Sequence, residues 1–327
     1  MSVEVAVIAT CVPLLVLMAL AALARSLRRL APLLVLDVLW GMFATYLVLR
    51  PNDFLISKVG ISLAVTTLIP LVEETVKALP LFWVTASKRC WWFVDGALLG
   101  AACGVGFAIR ETWIDVRQAD PLNSLALVFA RSTSTNLMHI GCSAIIGAAL
   151  ALAARRPMRT RIPLIILGFA VAAGIHATFN HIQQGVHGPF ATTTIGMGTL
   201  AVALGVIALG VPISRYWVRE DLELEGATPH EEHILAGGHG TARALDDFSA
   251  LYGPDAAQTL SELIAATRAL GIAHHGGHDP ARVSELSAEV DRLKRQLGPV
   301  GLLWLHTTSD MQGHAGLWAH LSHTPAN

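Results

Sequence analysis

The sequence predicts an all-α protein: a polytopic membrane helix bundle of about seven transmembrane helices in residues 1–213, then a small, partly helical cytoplasmic extension in 214–327. Three observations carry this reading. Of the 327 residues, 53% are hydrophobic and only 14% charged, against roughly a quarter charged in soluble proteins. Seven apolar runs are each long enough to cross about 30 Å of hydrocarbon at about 1.5 Å per residue. Basic residues concentrate in alternate connections between those runs, as cytoplasmic loops require. A formal net charge of -1 supplies no basic field for nucleic acid, so that class of partner is excluded.

The runs are Val3–Ala24, Leu30–Leu49, Ser57–Ala86, Trp92–Thr112, Ser124–Ala154, Ile162–Gln184 and Phe190–Ile213. The first is expected to anchor the chain rather than act as a cleaved signal peptide, because its positive charges follow it instead of preceding it. One set of connections carries Arg25, Arg28, Arg29, Lys88, Arg89, Arg155, Arg156, Arg159, Arg161, Arg215 and Arg219; the opposite set carries only Arg50, Lys58 and Arg117. That asymmetry predicts an integral protein of a bacterial-type cell membrane, N-terminus extracytoplasmic and C-terminus cytoplasmic. Trp91, Trp92 and Trp113 read as interfacial belts. Cys11, Cys90, Cys103 and Cys142 have no C-x-x-C spacing and are expected as buried thiols, with neither a disulfide nor a zinc cluster.

Past Arg219 the composition shifts, with ten of the fourteen histidines and the Gly-rich stretch Gly237–Gly240. Thr228, Pro229 and Glu231 form a helix start, Pro254–Leu270 is amphipathic, and Asp279-Pro280 is an N-cap and N1 pair. The last helix repeats Val283, Leu286, Val290, Leu293 and Leu297 up to Gly298-Pro299, a seam of about two heptads that suits a protein partner or self-association. His274-His275-Gly-Gly-His278, a Gly-rich stretch with no acidic or Cys residue among its five positions, reads as a solvated linker. Val300–Leu305 with Trp304 reads as a packing segment.

The chemistry is in the polar residues of the spans, each ionised one costing about 2.5–3.5 kcal/mol near the bilayer centre. The third run holds Glu73, Glu74 and Lys77, with Glu73 and Lys77 at i, i+4 on one face. The fourth carries Glu111, four residues after Phe107; the fifth carries Arg131 and His139, with Ser143 and Gly147 further along the same face. In the sixth, His176 and Asn180 project together, which suits two donors to one developing oxyanion. Counting from the cytoplasmic ends, Glu73, His139 and His176 lie about 20–23 Å in, and Asn180 and Glu111 about 24–30 Å in. One slab in the outer half of the bilayer therefore holds groups able to activate water and stabilise a tetrahedral intermediate.

The strings of three protease classes are absent: H-E-x-x-H, a rhomboid-type G-x-S-G and a presenilin-type G-x-G-D. What is present is Glu73-Glu74-Thr-Val-Lys77, Phe107-Ala108-Ile-Arg-Glu111, His139, and His176-Ala-Thr-Phe-Asn180. As an ordered set, one on each of four spans, these resemble the E-E-x-x-K, F-A-x-x-E, His and H-x-x-x-N motifs of the PrsW family of intramembrane proteases. That family is distantly related to the CAAX prenyl endopeptidase and bacteriocin-immunity superfamily. The resemblance covers about residues 35–200. Thr112 replaces a common Asn, and Ile140-Gly-Cys142 a common Phe.

The resemblance implies an endopeptidase that hydrolyses a membrane-anchored, single-span protein near the extracytoplasmic face, with an anti-sigma factor as the substrate type. It implies catalytic roles for Glu73, Glu74, Glu111, His139, His176 and Asn180, supported by Lys77 and Arg131: Glu73 as general base, His176 with Asn180 as the oxyanion site. Glu111, His139 and His176 are the metal ligands if Zn²⁺ is used, and the same groups can activate water without a metal. A proton-coupled transporter also places Glu, His and Lys in the membrane, and a non-catalytic signalling scaffold is the other rival; substrate cleavage discriminates against both.

Overall fold

The computed structural model describes residues 2–24, 27–86, 90, 92–154, 156–185, 189–237, 241–276 and 280–307. All of its regular structure is helical; among the described residues there is no strand. The expected features at Arg25, Lys88, Arg89, Trp91, Arg155, Gly238–Gly240, His278 and Asp279, and the side chains of Arg28 and Arg29, lie outside the described residues. Contacts divide the chain into two units, Met1–Val211 and Pro212–Asn327.

Among the described residues, six helical stretches are long and apolar enough to span a membrane: Val3–Ala24, Leu30–Val59, Phe93–Gln118, Ser124–Ala153, Met158–Gln184 and Phe190–Leu224, the last continuing past Val211 into the second unit. The helices are α1 (Val3–Ala24), α2 (Leu27–Val59), α6 (Phe93–Gln118), α7 (Ser124–Thr133), α8 (Thr135–Ala153), α9 (Met158–Gln184) and α10 (Pro189–Leu224). The fifth run is thus two helices, broken at Ser134. α2 runs on past its expected end, through Pro51 to Val59.

The third expected span, Ser57–Ala86, is not one continuous α-helix. After Gly60 (φ 84°) come α3 (Ile61–Leu63), a π turn (Ala64–Leu68), α4 (Ile69–Ala78), a turn at Leu79-Pro80 and α5 (Leu81–Val84). Pro70 and Pro80 explain the interruptions, since each lacks an N–H and its ring crowds the carbonyl four residues back.

The centre of this unit is α6, packed between α2 and α8. Glycines set the closeness. A Cβ on Gly106 would overlap the Val38 carbonyl of α2, and one on Gly104 would overlap the His139 carbonyl of α8. Outward faces keep large apolar side chains exposed, such as Leu36, Leu39 and Phe43 on α2 and Ile166 and Leu167 on α9, as a lipid solvent requires. Gly106→Leu is expected to force α2 off α6 and lower stability by about 1–3 kcal/mol. Gly174→Leu, where a Cβ meets nothing within 4 Å, is the control; thermal unfolding in detergent compares the two.

Cys90, Cys103 and Cys142 are buried, but Cys11 is exposed on α1, contrary to the expectation for all four. Trp92 is buried beside Phe93, ring centroids 3.9 Å apart, rather than forming a belt. Trp113 is half-buried and donates to Thr10 Oγ1 at 3.2 Å.

The second unit contains α11 (Pro229–Leu235), α12 (Thr241–Tyr252), α13 (Pro254–His275) and α14 (Pro280–Thr307). Thr228 and Glu231 form a capping box at α11. Leu286, Val290 and Leu293 are buried, and α14 packs on α13, so the centre of the seam is used within the unit. The chain turns at Gly298 (φ 73°) and resumes as helix, placing Trp304 against Phe248 at 4.8 Å. His274 and His275 do have an acidic partner, contrary to the linker reading: both are in α13 and share Asp221, at 2.6 and 2.9 Å.

Candidate active site

On α4, Glu73, Glu74 and Lys77 all point inward and are buried. Lys77 Nζ donates to Glu74 Oε1 at 2.6 Å and lies 3.2 Å from His139 Nδ1. It also sits 4.8 Å from the centre of the Phe107 ring, which is 5.0 Å from the His139 ring. An ammonium can only donate, so His139 Nδ1 accepts and the proton of that imidazole belongs on Nε2. That Nε2 is 2.7 Å from Glu111 Oε2.

A second cation completes this side. Arg131, at the end of α7 and buried, reaches Glu111 Oε2 at 2.7 Å and Asp115 Oδ2 at 2.5 Å. Its Nε donates to Thr112 Oγ1 at 3.2 Å, and Thr112 donates to Asn136 Oδ1 at 3.0 Å. The threonine at this position therefore orients the arginine. The break at Ser134 lets Arg131 on α7 and His139 on α8 address the same carboxylate.

From α9, His176 Nδ1 is 2.9 Å from Glu74 Oε1, and its Nε2 is 3.7 Å from Glu73 Oε2. Glu74 Oε1 already accepts from Lys77, so His176 Nδ1 carries the proton and Nε2 presents a lone pair to Glu73. The other Glu73 oxygen, Oε1, accepts from Asn52 Nδ2 of α2 at 3.1 Å. Two acceptors face one another across 3.7 Å, an arrangement that calls for a bridging donor or a cation between them.

One donor atom each from Glu73, His139 and His176 lies within 4.8 Å of the others. Two imidazoles and a carboxylate are the donor set of a catalytic zinc site. Glu74 behind His176 is the carboxylate that orients such a ligand. Formal charge agrees: Glu73, Glu74, Glu111 and Asp115 face Lys77 and Arg131, a surplus of two negative charges that a divalent cation balances. The residues present thus fit a metal. The converging carboxylate is Glu73, whereas the sequence pointed to Glu111; Glu111 is engaged by His139 and Arg131 instead.

Of the residues singled out from sequence, Glu73, Glu74, Lys77, Glu111, Arg131, His139 and His176 come together in one cluster. Asn180 does not share an oxygen with His176: its Nδ2 donates to the Val65 carbonyl at 3.0 Å. Ser143 and Gly147 belong to the α6 packing seam, against Gly100 and Gly96. Thr112 was noted from sequence only as replacing a common Asn, and Asn52, Asp115 and Asn136 were not singled out there. Nor was Asp37, a carboxylate only 1% exposed on α2, whose Oδ2 has no hydrogen-bond partner among the described residues. Its signal was available, as an acid inside an apolar run.

Residues 30–209 match the family model described as PrsW family intramembrane metalloprotease. The chain belongs to the PrsW family. The match covers more than half of the chain and every helix that supplies the cluster; the second unit lies wholly beyond it. No curated protein and no solved structure matches the chain. As a PrsW protein it is an integral membrane peptidase that acts on membrane-protein substrates within the bilayer.

Proposed function

We propose that the chain is an endopeptidase for single-span membrane proteins, with Glu73 as general base and the bond cut near the extracytoplasmic face. The observation that carries this is the division of labour between the oxygens of Glu73. Asn52 holds Oε1, leaving Oε2 opposite His176 Nε2 at 3.7 Å. A water between them gives one proton to Glu73 Oε2 while its oxygen attacks the peptide carbonyl carbon. When the C–N bond breaks, Glu73 returns that proton to the leaving nitrogen, giving a carboxylate and an amine. Where no metal is held, His139 Nε2–H, positioned by Lys77 and otherwise directed at Glu111, is the donor for the carbonyl oxygen as it gains charge, replacing the His176 and Asn180 pair in that role; as a metal ligand His139 would have no such proton to give.

Glu73, His139 and His176 would hold the metal, here proposed as Zn²⁺, whose chemistry is to acidify a bound water and polarise the carbonyl. His139 directs a proton at Glu111, so its use as a ligand releases that proton. Glu74 and Lys77 orient the two imidazoles, and Arg131 holds Glu111 in place.

Exposure supports entry from the outer side. The Glu111 side chain is 27% exposed and that of Glu73 9%, against 0–1% for Glu74 and Lys77. The cluster thus opens toward Glu111 and Asn52, the end that the charge asymmetry of the connections assigns to the outside. We likewise assign the N-terminus to the outside and the C-terminus to the cytoplasm, with residues 214–327 as a cytoplasmic extension. The test is co-reconstitution of the purified chain with a panel of single-span proteins, with fragment masses fixing the cut. Cuts in the outer third of the spans are expected; cuts confined to the cytoplasmic side would overturn the assignment of the face.

A further inference from the structure

The π turn before α4 has a cause in sequence and a partner in space. At its end, Ile69 N–H bonds to the Ala64 carbonyl, five residues back. The next carbonyl, Val65, has Pro70 at the corresponding position, and proline has no N–H to give. Burial of an unpaired carbonyl in a membrane is costly, and here Asn180 of α9 supplies the missing donor at 3.0 Å. Asn180 is one turn beyond His176, so a single helix contributes both a cluster imidazole and the hydrogen bond that closes the π turn.

A π turn accommodates one residue more than an α-helix over the same path. Everything beyond it is rotated by about 100° relative to an uninterrupted α-helix. Glu73, Glu74 and Lys77 lie within the ten residues that follow, and their inward face is therefore set by that extra residue. If the turn relaxed to α without loss of a residue, the carboxylates would swing away from His139 and His176.

We propose that Asn180 is a positioning residue: it clamps the π turn at Val65 and so fixes the face on which Glu73, Glu74 and Lys77 meet the two histidines. It is not a donor to the reacting carbonyl. This rests on the cluster being the catalytic site of the peptidase.

The two roles separate in a deletion experiment. Asn180→Leu in the full chain, reconstituted with a cleaved single-span protein, is expected to lose about a hundredfold in kcat with KM unchanged. Removing Thr67 together with Pro70→Ala makes the segment a continuous α-helix in the original register, so the clamp is no longer needed. Adding those changes to Asn180→Leu is expected to bring kcat back to within about tenfold of wild type.

Full activity of Asn180→Leu alone overturns the proposal. So does failure of the shortened helix to restore a protein that elutes and melts as the wild type does, the result expected of an oxyanion donor. Should Asn180→Leu not fold, the shortened helix with Asn180 intact decides: retained activity supports the clamp and lost activity overturns it. Absence of cleavage by wild type under the same conditions would count against the peptidase site itself.

Discussion

Glu73→Gln is expected to lower cleavage by about 10²–10⁴-fold, the contribution of a positioned general base, while leaving the folded protein intact. Gln keeps the shape and can still accept from Asn52 through its carbonyl oxygen, so the α2 contact at 3.1 Å survives. What is lost is the oxygen that takes a proton opposite His176. The charge count predicts a second readout: removing one carboxylate, itself among the converging donors, weakens retention of a divalent ion. Turnover and bound metal measured on one preparation check both, and turnover equal to wild type would remove Glu73 from the mechanism.

The largest effect on stability is expected at Lys77. Its side chain is 1% exposed, and it bridges Glu74 and His139. Lys77→Met leaves the Glu74 carboxyl group at 0% exposure without its cation, with the His176 N–H as its remaining partner among the described residues. Breaking a buried pair from one side costs about 3–5 kcal/mol, whereas replacing both members by apolar groups is often nearly neutral. Lys77→Met is therefore expected to unfold at markedly lower temperature in detergent, and adding Glu74→Leu should recover most of that loss while the protein stays inactive. If Lys77→Met melts like the wild type, the pair is not the buried lock described.

Most of this site is legible in the sequence because charge is conspicuous in an apolar run. Glu73, Glu74, Lys77, Glu111, Arg131, His139 and His176 each stand out by cost alone, and the motif set groups them. Asn52 does not stand out, because Arg50-Pro51-Asn52-Asp53 reads as the end of a span. Only the continuation of α2 through Pro51 brings its carboxamide to Glu73. The partner of Asn180 is hidden for a different reason. Spacing places Asn180 on the same helical face as His176, but a hydrogen bond to the backbone of another helix depends on which carbonyl has been orphaned there. Pro70 contains that information, and reading it requires knowing that the segment widens to a π turn rather than kinking. The same proline is why the third span is segmented despite its apolar composition. In the extension, Thr228 and Glu231 marked their helix by local chemistry, whereas the pairing of His274 and His275 with Asp221 joins residues more than fifty positions apart.

The activity proposed for the His/Glu cluster is hydrolysis of peptide bonds of membrane proteins. Its most direct measurement is mass spectrometry of single-span proteins co-reconstituted with the wild type or with Glu73→Gln in water enriched in oxygen-18. For wild type only, paired fragments are expected whose new carboxyl terminus carries one heavy oxygen and whose new amino terminus carries none. Fragments formed equally by both proteins, or none from wild type across a broad panel, would contradict it.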